Sequence, residues 1–255
     1  RVVHRGAPAV ALAERELLLR LGQHAVFAIE RERGRFTLVA ESADRQFWQK
    51  PLNGALQPWF EARDDGLLVI DDFVIHALSQ EGEAADTELS ARRSGAVAVL
   101  GHGRFLVVAT ASGVSCWRAR SGKPGFEPIT ETGELGALHA VALASDGDQL
   151  LSADASGALR LWTLQDGIAQ PAWSVALPAG RSFAPQLALA GGSAVCVDDQ
   201  GTIRIVERAS HALVRTIPTG APLATVPRID AGRIIVVDAG GEVDGYALAA
   251  PVTTP

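Results

Sequence analysis

The sequence predicts an all-β protein made of six similar repeats of short antiparallel strands. Apolar runs of about four to six residues alternate with turn residues along most of the chain. The 26 glycines and 13 prolines lie mostly between those runs. First strands are expected near residues 16, 56, 96, 139, 185 and 226, and this spacing of about 40 to 46 residues is close to that of a four-stranded propeller blade. The predicted fold is a single six-bladed β-propeller of four-stranded antiparallel blades.

The first repeat is expected at residues 16–52. Its strands are predicted near 16–21, 24–30, 35–40 and 46–51, with a first break at Gly22-Gln23. Residues 11–21 also have good helix propensity, so a short helix there is the alternative. The repeat spacing favours a strand at 16–21.

The later repeats follow the same order of strands and turns. Residues 56–78 turn at Asp65-Gly66 and at Asp71-Asp72, and residues 96–119 turn at Gly101–Gly103 and at Ser112-Gly113. Residues 133–177 form the clearest repeat, with four apolar runs. Residues 185–218 and 226–248 give four and three further strands.

The last repeat lacks a fourth strand. Residues 1–6 resemble the ends of fourth strands elsewhere, so we expect the N-terminal strand to complete the last blade and close the ring. The propeller domain is then residues 1–248, and residues 249–255 form a C-terminal tail. Seven blades are the alternative, if residues 1–15 contain another partial blade.

Residues 133–177 carry a resemblance to WD-repeat blades. The SDG turn, the LLSADASG segment and the RLW ending fall in that family's order, and Ser152 and Trp162 match two of its hydrogen-bonding positions. A second resemblance is to quinoprotein-like repeats, in which a Trp on the fourth strand packs on the next blade; Trp48 and Trp173 fit that position. Both resemblances imply a propeller. The first implies a platform for protein partners, and the second implies an accessory subunit of a cell-envelope or redox complex.

The charge and the composition of the chain exclude some classes of partner and of location. The net charge is −6 and the 23 basic residues form no cluster, so no nucleic-acid partner is predicted. No run of eighteen apolar residues occurs, so no membrane span is predicted. Cys116 and Cys196 are expected to be buried, unbridged thiols. The chain begins with Arg and has no Met, which predicts a processed or excised product, either cytoplasmic or exported after removal of a signal.

Motifs for catalysis are missing from the sequence. The six histidines match no zinc pattern, and neither a nucleophile elbow nor a phosphate-binding loop occurs. His102 is expected at a hairpin tip. We therefore predict a protein that is not an enzyme, with no cofactor and no metal site.

Acidic residues recur at the turn between the second and third strands of several repeats. In a propeller these turns share one face, so the carboxylates would form a partial ring that attracts a basic partner. Because Asp also suits tight turns through its own backbone hydrogen bonds, the alternative is that these residues cap their turns. Trp59 is less constrained by the repeat than the other four Trp. The predicted partner-binding residues are Asp71, Asp72, Asp154, Asp198, Asp199, Asp238 and Trp59.

The predicted function is a non-enzymatic interaction module or scaffold, monomeric as a domain, that binds a protein partner. One alternative is a six-bladed hydrolase-like, lactonase-like or ligand-binding propeller that uses the acidic channel mouth. The other is the envelope or redox accessory subunit.

Overall fold

In the computed structural model, the described residues are all-β and form 23 strands in six antiparallel sheets. Within those residues, five sheets have four strands and the last has three. The structure describes residues 16–21, 24–32, 35–41, 46–52, 54, 58–63, 66–79, 83–130, 133–138, 140–154, 156–165, 168–176, 186–224 and 226–248.

The first two sheets are meanders in which each strand pairs with the next one along the chain. The first contains β1 (Glu16–Leu21), β2 (His24–Glu32), β3 (Arg35–Glu41) and β4 (Gln46–Pro51). The second contains β5 (Trp59–Arg63), β6 (Gly66–Ile70), β7 (Val74–Ser79) and β8 (Ala84–Glu88).

The four later sheets repeat this topology. The third contains β9 (Arg93–Leu100), β10 (Phe105–Thr110), β11 (Gly113–Ala119) and β12 (Phe126–Ile129). The fourth contains β13 (Ala140–Asp146), β14 (Gln149–Asp154), β15 (Ala158–Gln165) and β16 (Ile168–Ala176). The fifth contains β17 (Gln186–Ala190), β18 (Ser193–Val197), β19 (Thr202–Glu207) and β20 (Leu213–Pro218). The sixth contains β21 (Arg228–Asp230), β22 (Arg233–Val237) and β23 (Val243–Ala247). In the part of the chain that the structure describes, two short 3-10 turns, Gly101–Gly103 and Gly133–Leu135, lie outside the strands.

By its contacts the chain divides into two compact units. One comprises residues 1–94 and 117–128, and the other comprises residues 95–116 and 129–255.

Burial differs between the second and fourth strands of several sheets. The second strands β6 and β10 are wholly buried, because a central strand is covered on both faces. The fourth strands β8 and β20 alternate mostly between exposed and partly buried positions. Within each compact unit, hydrophobic core clusters lie between consecutive sheets.

Tryptophans pack in three of these inter-sheet layers. Trp162 of β15 packs against Leu100, Phe105 and Val107 of the third sheet. Trp173 of β16 lies on the other side, in the layer shared with strands β17 to β19. Trp48 of β4 packs in the equivalent layer between the first and second sheets. The prediction that these Trp are packing residues is confirmed.

Glycine is required at two turns because the backbone that connects one sheet to the next passes very close to them. A Cβ on Gly201 would lie 1.9 Å from the carbonyl oxygen of Ala221, in the segment after β20. A Cβ on Gly113 would lie 2.1 Å from the carbonyl oxygen of Gly136, in the segment before β13. The φ angles at these glycines are +77° and +135°, which side chains disfavour. Only glycine permits the close backbone approach at both positions.

The predicted repeat agrees with the structure. The first strands of the six sheets begin at residues 16, 59, 93, 140, 186 and 228, each within a few residues of the prediction. Residues 16–21 are a strand, so the alternative helix is wrong over that range. In the described residues the sixth sheet has three strands, all from residues 226–248, which agrees with the predicted lack of a fourth strand in the last repeat. The predicted closing strand at residues 1–6 and the tail at 249–255 lie outside the described residues, so the ring closure and the domain boundary stay predictions.

Candidate functional site

The predicted acidic residues lie at the turn between second and third strands. Asp71 and Asp72 follow β6, and Asp154 ends β14. Asp198 and Asp199 follow β18, and Asp238 follows β22. The expected ring of carboxylates includes residues of both units, so it stays a prediction.

Three of these turns share one local geometry, Asp-x-x-Gly. The N–H of the glycine donates to the carbonyl oxygen of the aspartate over 3.1 Å at Asp154, 3.1 Å at Asp198 and 3.0 Å at Asp238. The glycine has a φ of +85°, +77° and +85° in the same order, so the turn needs a left-handed residue there. The D-x-x-G pattern is therefore a structural signature of the repeat.

The aspartate side chain also caps its own turn. Oδ1 of Asp198 accepts the N–H groups of Gln200 at 3.0 Å and Thr202 at 2.9 Å. Oδ1 of Asp154 and Oδ1 of Asp238 accept the equivalent N–H groups of Ala158 and Glu242. These contacts are those of the turn-capping alternative.

The second carboxylate oxygen pairs with an arginine six residues later in two of the turns. Oδ2 of Asp154 lies 2.6 Å from Nη1 of Arg160, and Oδ2 of Asp198 lies 2.7 Å from Nη1 of Arg204. Burial raises the pKa of both carboxyls, but the hydrogen bonds they accept outweigh burial and hold each pKa below its ordinary value. Both carboxylates are therefore ionised and locally neutralised at neutral pH.

The last sheet departs from this pattern. Asp244 occupies the position of the arginine, so Asp238 has a second acid where its counterparts have a cation. Partial burial raises the pKa of Tyr246, and the negative charges of Asp244 and Glu242 raise it further. Asp199 also differs, because its Oδ1 is buried without a hydrogen-bond partner.

The turn at Asp71 uses a histidine in place of the arginine. Oδ1 of Asp71 accepts the N–H groups of Phe73 at 2.9 Å and Val74 at 2.7 Å. Oδ2 of Asp71 lies 3.1 Å from Nε2 of His76, and the side chains of both residues are almost completely buried. The turn is thus capped like the others, and its carboxylate meets an imidazole in the interior.

His76 continues this network toward the outer strand. Its Nδ1 lies 2.8 Å from Oδ1 of Asp86 on β8, and both carboxylate oxygens of Asp86 accept from Nζ of Lys50 on β4. Burial raises the pKa of Asp86, but His76 and Lys50 together hold it below its ordinary value. A continuous polar chain therefore runs from the turn at Asp71 to the surface at Lys50.

The carboxylate of Asp72 pairs with Arg92, whereas that of Asp71 pairs with His76. The side chain of Asp72 is 2% exposed, and its Oδ2 lies 2.7 Å from Nη2 of Arg92, whose side chain is 47% exposed. Arg93 is buried and donates from Nε to the carbonyl oxygen of Asp71. A Cβ on Gly54 would lie 2.7 Å from Oδ1 of Asp72, so the backbone at residue 54 also approaches this carboxylate closely.

Phe73 is the exposed member of this turn. It follows two aspartates that are each 1% exposed, yet Phe73 itself is 49% exposed. Trp59 pairs with Ile70, the last residue of β6, and is partly buried. Trp59 and Phe73 therefore belong to the same end of the second sheet, and we call Trp59, Phe73 and Arg92 the Phe73 surface.

Sequence reasoning missed His76, Asp86 and Phe73. An alignment of the third strands could have found His76. It follows Asp71 by five residues, and Arg160 follows Asp154 by six, so both side chains come from the start of a third strand. Nothing local indicated Asp86 or Lys50, since Lys50 belongs to another sheet. The exposure of Phe73 depends on what covers the turn, which the sequence does not state.

Cys116, Cys196 and His102 belong to the second compact unit, whereas the His76 network belongs to the first. Burial raises the pKa of the Cys116 and Cys196 thiols to about 12, and both are free. His102 lies in the turn Gly101–Gly103, as predicted, and His139 lies outside the described residues. The described part of the chain contains no group of three or more His, Cys, Asp or Glu arranged to hold a metal ion. In the same part, no helix is long and apolar enough to cross a membrane.

The structure is similar to known propellers, although no protein-family model and no curated protein matches the chain. The computationally designed Ika8 protein has a TM-score of 0.64 and 15% identity, covering 91% of this chain and 70% of that one. BBS1N, solved in complex with ARL6DN, has a TM-score of 0.55 and 13% identity, covering 89% of this chain and 75% of that one. Both are β-propellers, so the fold of this chain is that of a β-propeller. At these identities the likeness shows the fold alone.

Proposed function

We propose that this β-propeller is a non-enzymatic protein-interaction module and that it binds a protein partner through the Phe73 surface. The observation that carries the proposal is the 49% exposure of Phe73 on a turn whose preceding residues are buried and hydrogen-bonded. An exposed aromatic side chain on a fixed backbone is a common centre of a binding surface.

The backbone of Phe73 is held on both sides. Its N–H donates to Asp71, and its carbonyl oxygen accepts the N–H of Leu89 over 2.7 Å. A side chain presented by a fixed backbone loses little conformational entropy when a partner covers it. The backbone conformation of the turn is therefore fixed before a partner binds.

The neighbours of Phe73 have the composition of an interface. Trp59 contributes an aromatic ring, and Arg92 contributes a guanidinium that Asp72 orients. Aromatic residues and arginine are enriched in protein interfaces. BBS1N was solved with a protein partner, and this analogy of fold also favours an interaction role.

Hydrolase-like or lactonase-like chemistry is the alternative, and it needs unpaired carboxylates that converge on a metal or a reacting group. Asp71, Asp154 and Asp198 instead pair with backbone N–H groups and with His76, Arg160 or Arg204. These contacts favour the interaction role over the enzyme. The accessory-subunit alternative agrees with the interaction role, because such a subunit also works by binding proteins.

The family of the propeller is part of the proposal. The hydrogen bond of 2.8 Å from Nε1 of Trp162 to Oγ of Ser152 supports a WD-repeat relationship. The packing of Trp48 and Trp173 on the following sheets supports a quinoprotein-like one. We propose the WD-repeat relationship, since it accounts for a hydrogen bond between buried side chains rather than for packing alone.

The test is capture of partners with the wild type and with Phe73→Ser. We expect at least one protein from the source cells to bind the wild type and to lose about tenfold or more in affinity with Phe73→Ser, as for a central aromatic anchor. Val141→Ser is the matched control, because Val141 is 42% exposed and lies in another sheet. Equal binding by Phe73→Ser, or equal loss with Val141→Ser, would contradict the proposal.

A further inference from the structure

Arg92 uses only one edge of its guanidinium to bind Asp72. Its Nε lies 2.9 Å and its Nη2 lies 2.7 Å from Oδ2 of Asp72. A guanidinium is a planar fork, and its N–H groups form one edge at Nε and Nη2 and another at Nη1 and Nη2. Asp72 occupies the first edge. Among the described residues nothing else hydrogen-bonds to Arg92, so its second edge is free to bind a further acceptor.

The cation is the exposed member of this ion pair. The side chain of Asp72 is 2% exposed, whereas that of Arg92 is 47% exposed. The buried carboxylate fixes the direction of the guanidinium while the solvent reaches the rest of it. Because Arg92 is already held in place, it loses little side-chain freedom when a second acceptor binds.

Backbone hydrogen bonds hold Phe73 and Arg92 on adjoining segments. The N–H of Leu89 donates to the carbonyl oxygen of Phe73 over 2.7 Å, and the N–H of Arg93 donates to that of Asp72 over 2.8 Å. These two bonds join the Phe73 turn to the segment that follows β8. About half of each side chain is open to solvent, at 49% for Phe73 and 47% for Arg92. The Phe73 surface therefore presents an apolar ring together with a cationic edge.

We propose that the Phe73 surface recognises an acidic peptide segment of its partner, an inference that rests on the proposed function of that surface. The segment places an apolar side chain on Phe73 and a neighbouring Asp or Glu carboxylate on the second edge of Arg92. That edge matches the two oxygens of a carboxylate, and such a paired contact is charge-assisted. A phosphate group carries a charge of about −2, which a single arginine already paired with Asp72 does not balance.

The first test selects binders from a displayed library of random, unmodified short peptides, with the wild type, Phe73→Ser and Arg92→Gln as parallel targets. We expect the wild type to enrich peptides in which Asp or Glu adjoins an apolar side chain. Arg92→Gln should enrich apolar peptides without the acidic preference, whereas Phe73→Ser should enrich neither kind. Arg228→Gln removes an exposed arginine of another sheet, so it should select the same peptides as the wild type.

The second test is a double-mutant cycle with one selected peptide. Replacing the Glu of the peptide by Gln removes the carboxylate and leaves the protein unchanged, so protein folding does not affect this measurement. We expect this change and Arg92→Gln each to weaken binding about tenfold, and the combination to weaken it little further. Arg92→Lys keeps the charge beside Asp72 but lacks the planar edge, so its affinity should lie between those of the wild type and Arg92→Gln.

The possible outcomes separate this inference from the proposed function. Peptides that depend on Phe73 but show no acidic preference would overturn acidic recognition and leave the interaction surface intact. An acidic preference that Arg92→Gln retains, or additive losses in the cycle, would also overturn acidic recognition. If no selected peptide depends on Phe73, the surface itself is contradicted, and acidic recognition with it.

Discussion

Arg204 lies six residues after Asp198, and its Nη1 is 2.7 Å from Oδ2 of that aspartate. The other oxygen of Asp198 accepts two backbone N–H groups of its own turn. Asp154 and Arg160 repeat the arrangement one sheet earlier. One carboxylate in each of these turns therefore shapes the backbone and anchors the next strand.

Asp198→Asn is expected to destabilise the fold. Asparagine keeps an acceptor for the two N–H groups, but it removes the charge that compensates Arg204, whose side chain is only 11% exposed. We expect a loss of about 2–4 kcal/mol in the free energy of unfolding, measured with urea. Asp230→Asn, at an exposed position, is the control and should change it by less than about 0.5 kcal/mol. If Asp198→Asn is as stable as the wild type, the pairing is not structural.

Stability should fall in acid because of the same carboxylates. Their pKa values in the folded protein are lowered, so their contribution is present above the unfolded pKa of about 3.9 and is lost as the pH falls through the folded pKa. The melting temperature of the wild type should therefore drop below about pH 4, and the gap between wild type and Asp198→Asn should narrow there. A gap that stays constant down to about pH 2 would contradict this assignment.

Gly201→Ala and Gly241→Ala separate backbone strain from steric clash. Both glycines have a left-handed φ, but nothing lies within 4 Å of a Cβ on Gly241, whereas Ala221 lies 1.9 Å from a Cβ on Gly201. We expect Gly241→Ala to cost about 1 kcal/mol from φ alone and Gly201→Ala to cost about 3 kcal/mol or more. The measurement is equilibrium unfolding of both variants. Equal costs would mean that the linker moves aside freely.

The hydrogen bond between Trp162 and Ser152 is testable with a double-mutant cycle. Trp162→Phe keeps most of the ring but leaves the buried Oγ of Ser152 without its donor, at a cost of about 1–3 kcal/mol. Ser152→Ala in the Trp162→Phe background should then cost clearly less than Ser152→Ala alone. Additive costs would exclude an energetic coupling. Trp162→Ala should cost about 3–5 kcal/mol, because it also leaves a cavity between sheets.

The two cysteines should be unreactive in the folded protein. With pKa values of about 12, Cys116 and Cys196 carry almost no thiolate at neutral pH, and both side chains are buried. A thiol reagent at about pH 8 should label neither cysteine before unfolding and both after it, as counted by mass spectrometry. Rapid labelling of either thiol in the native protein would contradict the burial.

Much of the fold was predictable from the sequence because its signals are local. Turn residues at Asp146-Gly147 and Gln200-Gly201 end one strand and begin the next, and their regular recurrence gave the number of repeats. The position of Asp154, Asp198 and Asp238 within their turns was predictable for the same reason. The capping contacts join residues no more than four positions apart, so chain sequence alone brings them together.

The sequence by itself determined the all-β repeat, the approximate positions of most strands and the chemistry of the turns. Tertiary structure alone decided which charged groups meet, since Asp86 pairs with Lys50 across 36 residues and two sheets. It also decided that Asp71 and Asp72 are buried while Phe73 is exposed. Turn geometry follows from hydrogen bonds within a few residues, whereas the partner of a strand side chain depends on which sheet packs against it. That packing distinguishes a buried histidine network from a set of scattered polar residues.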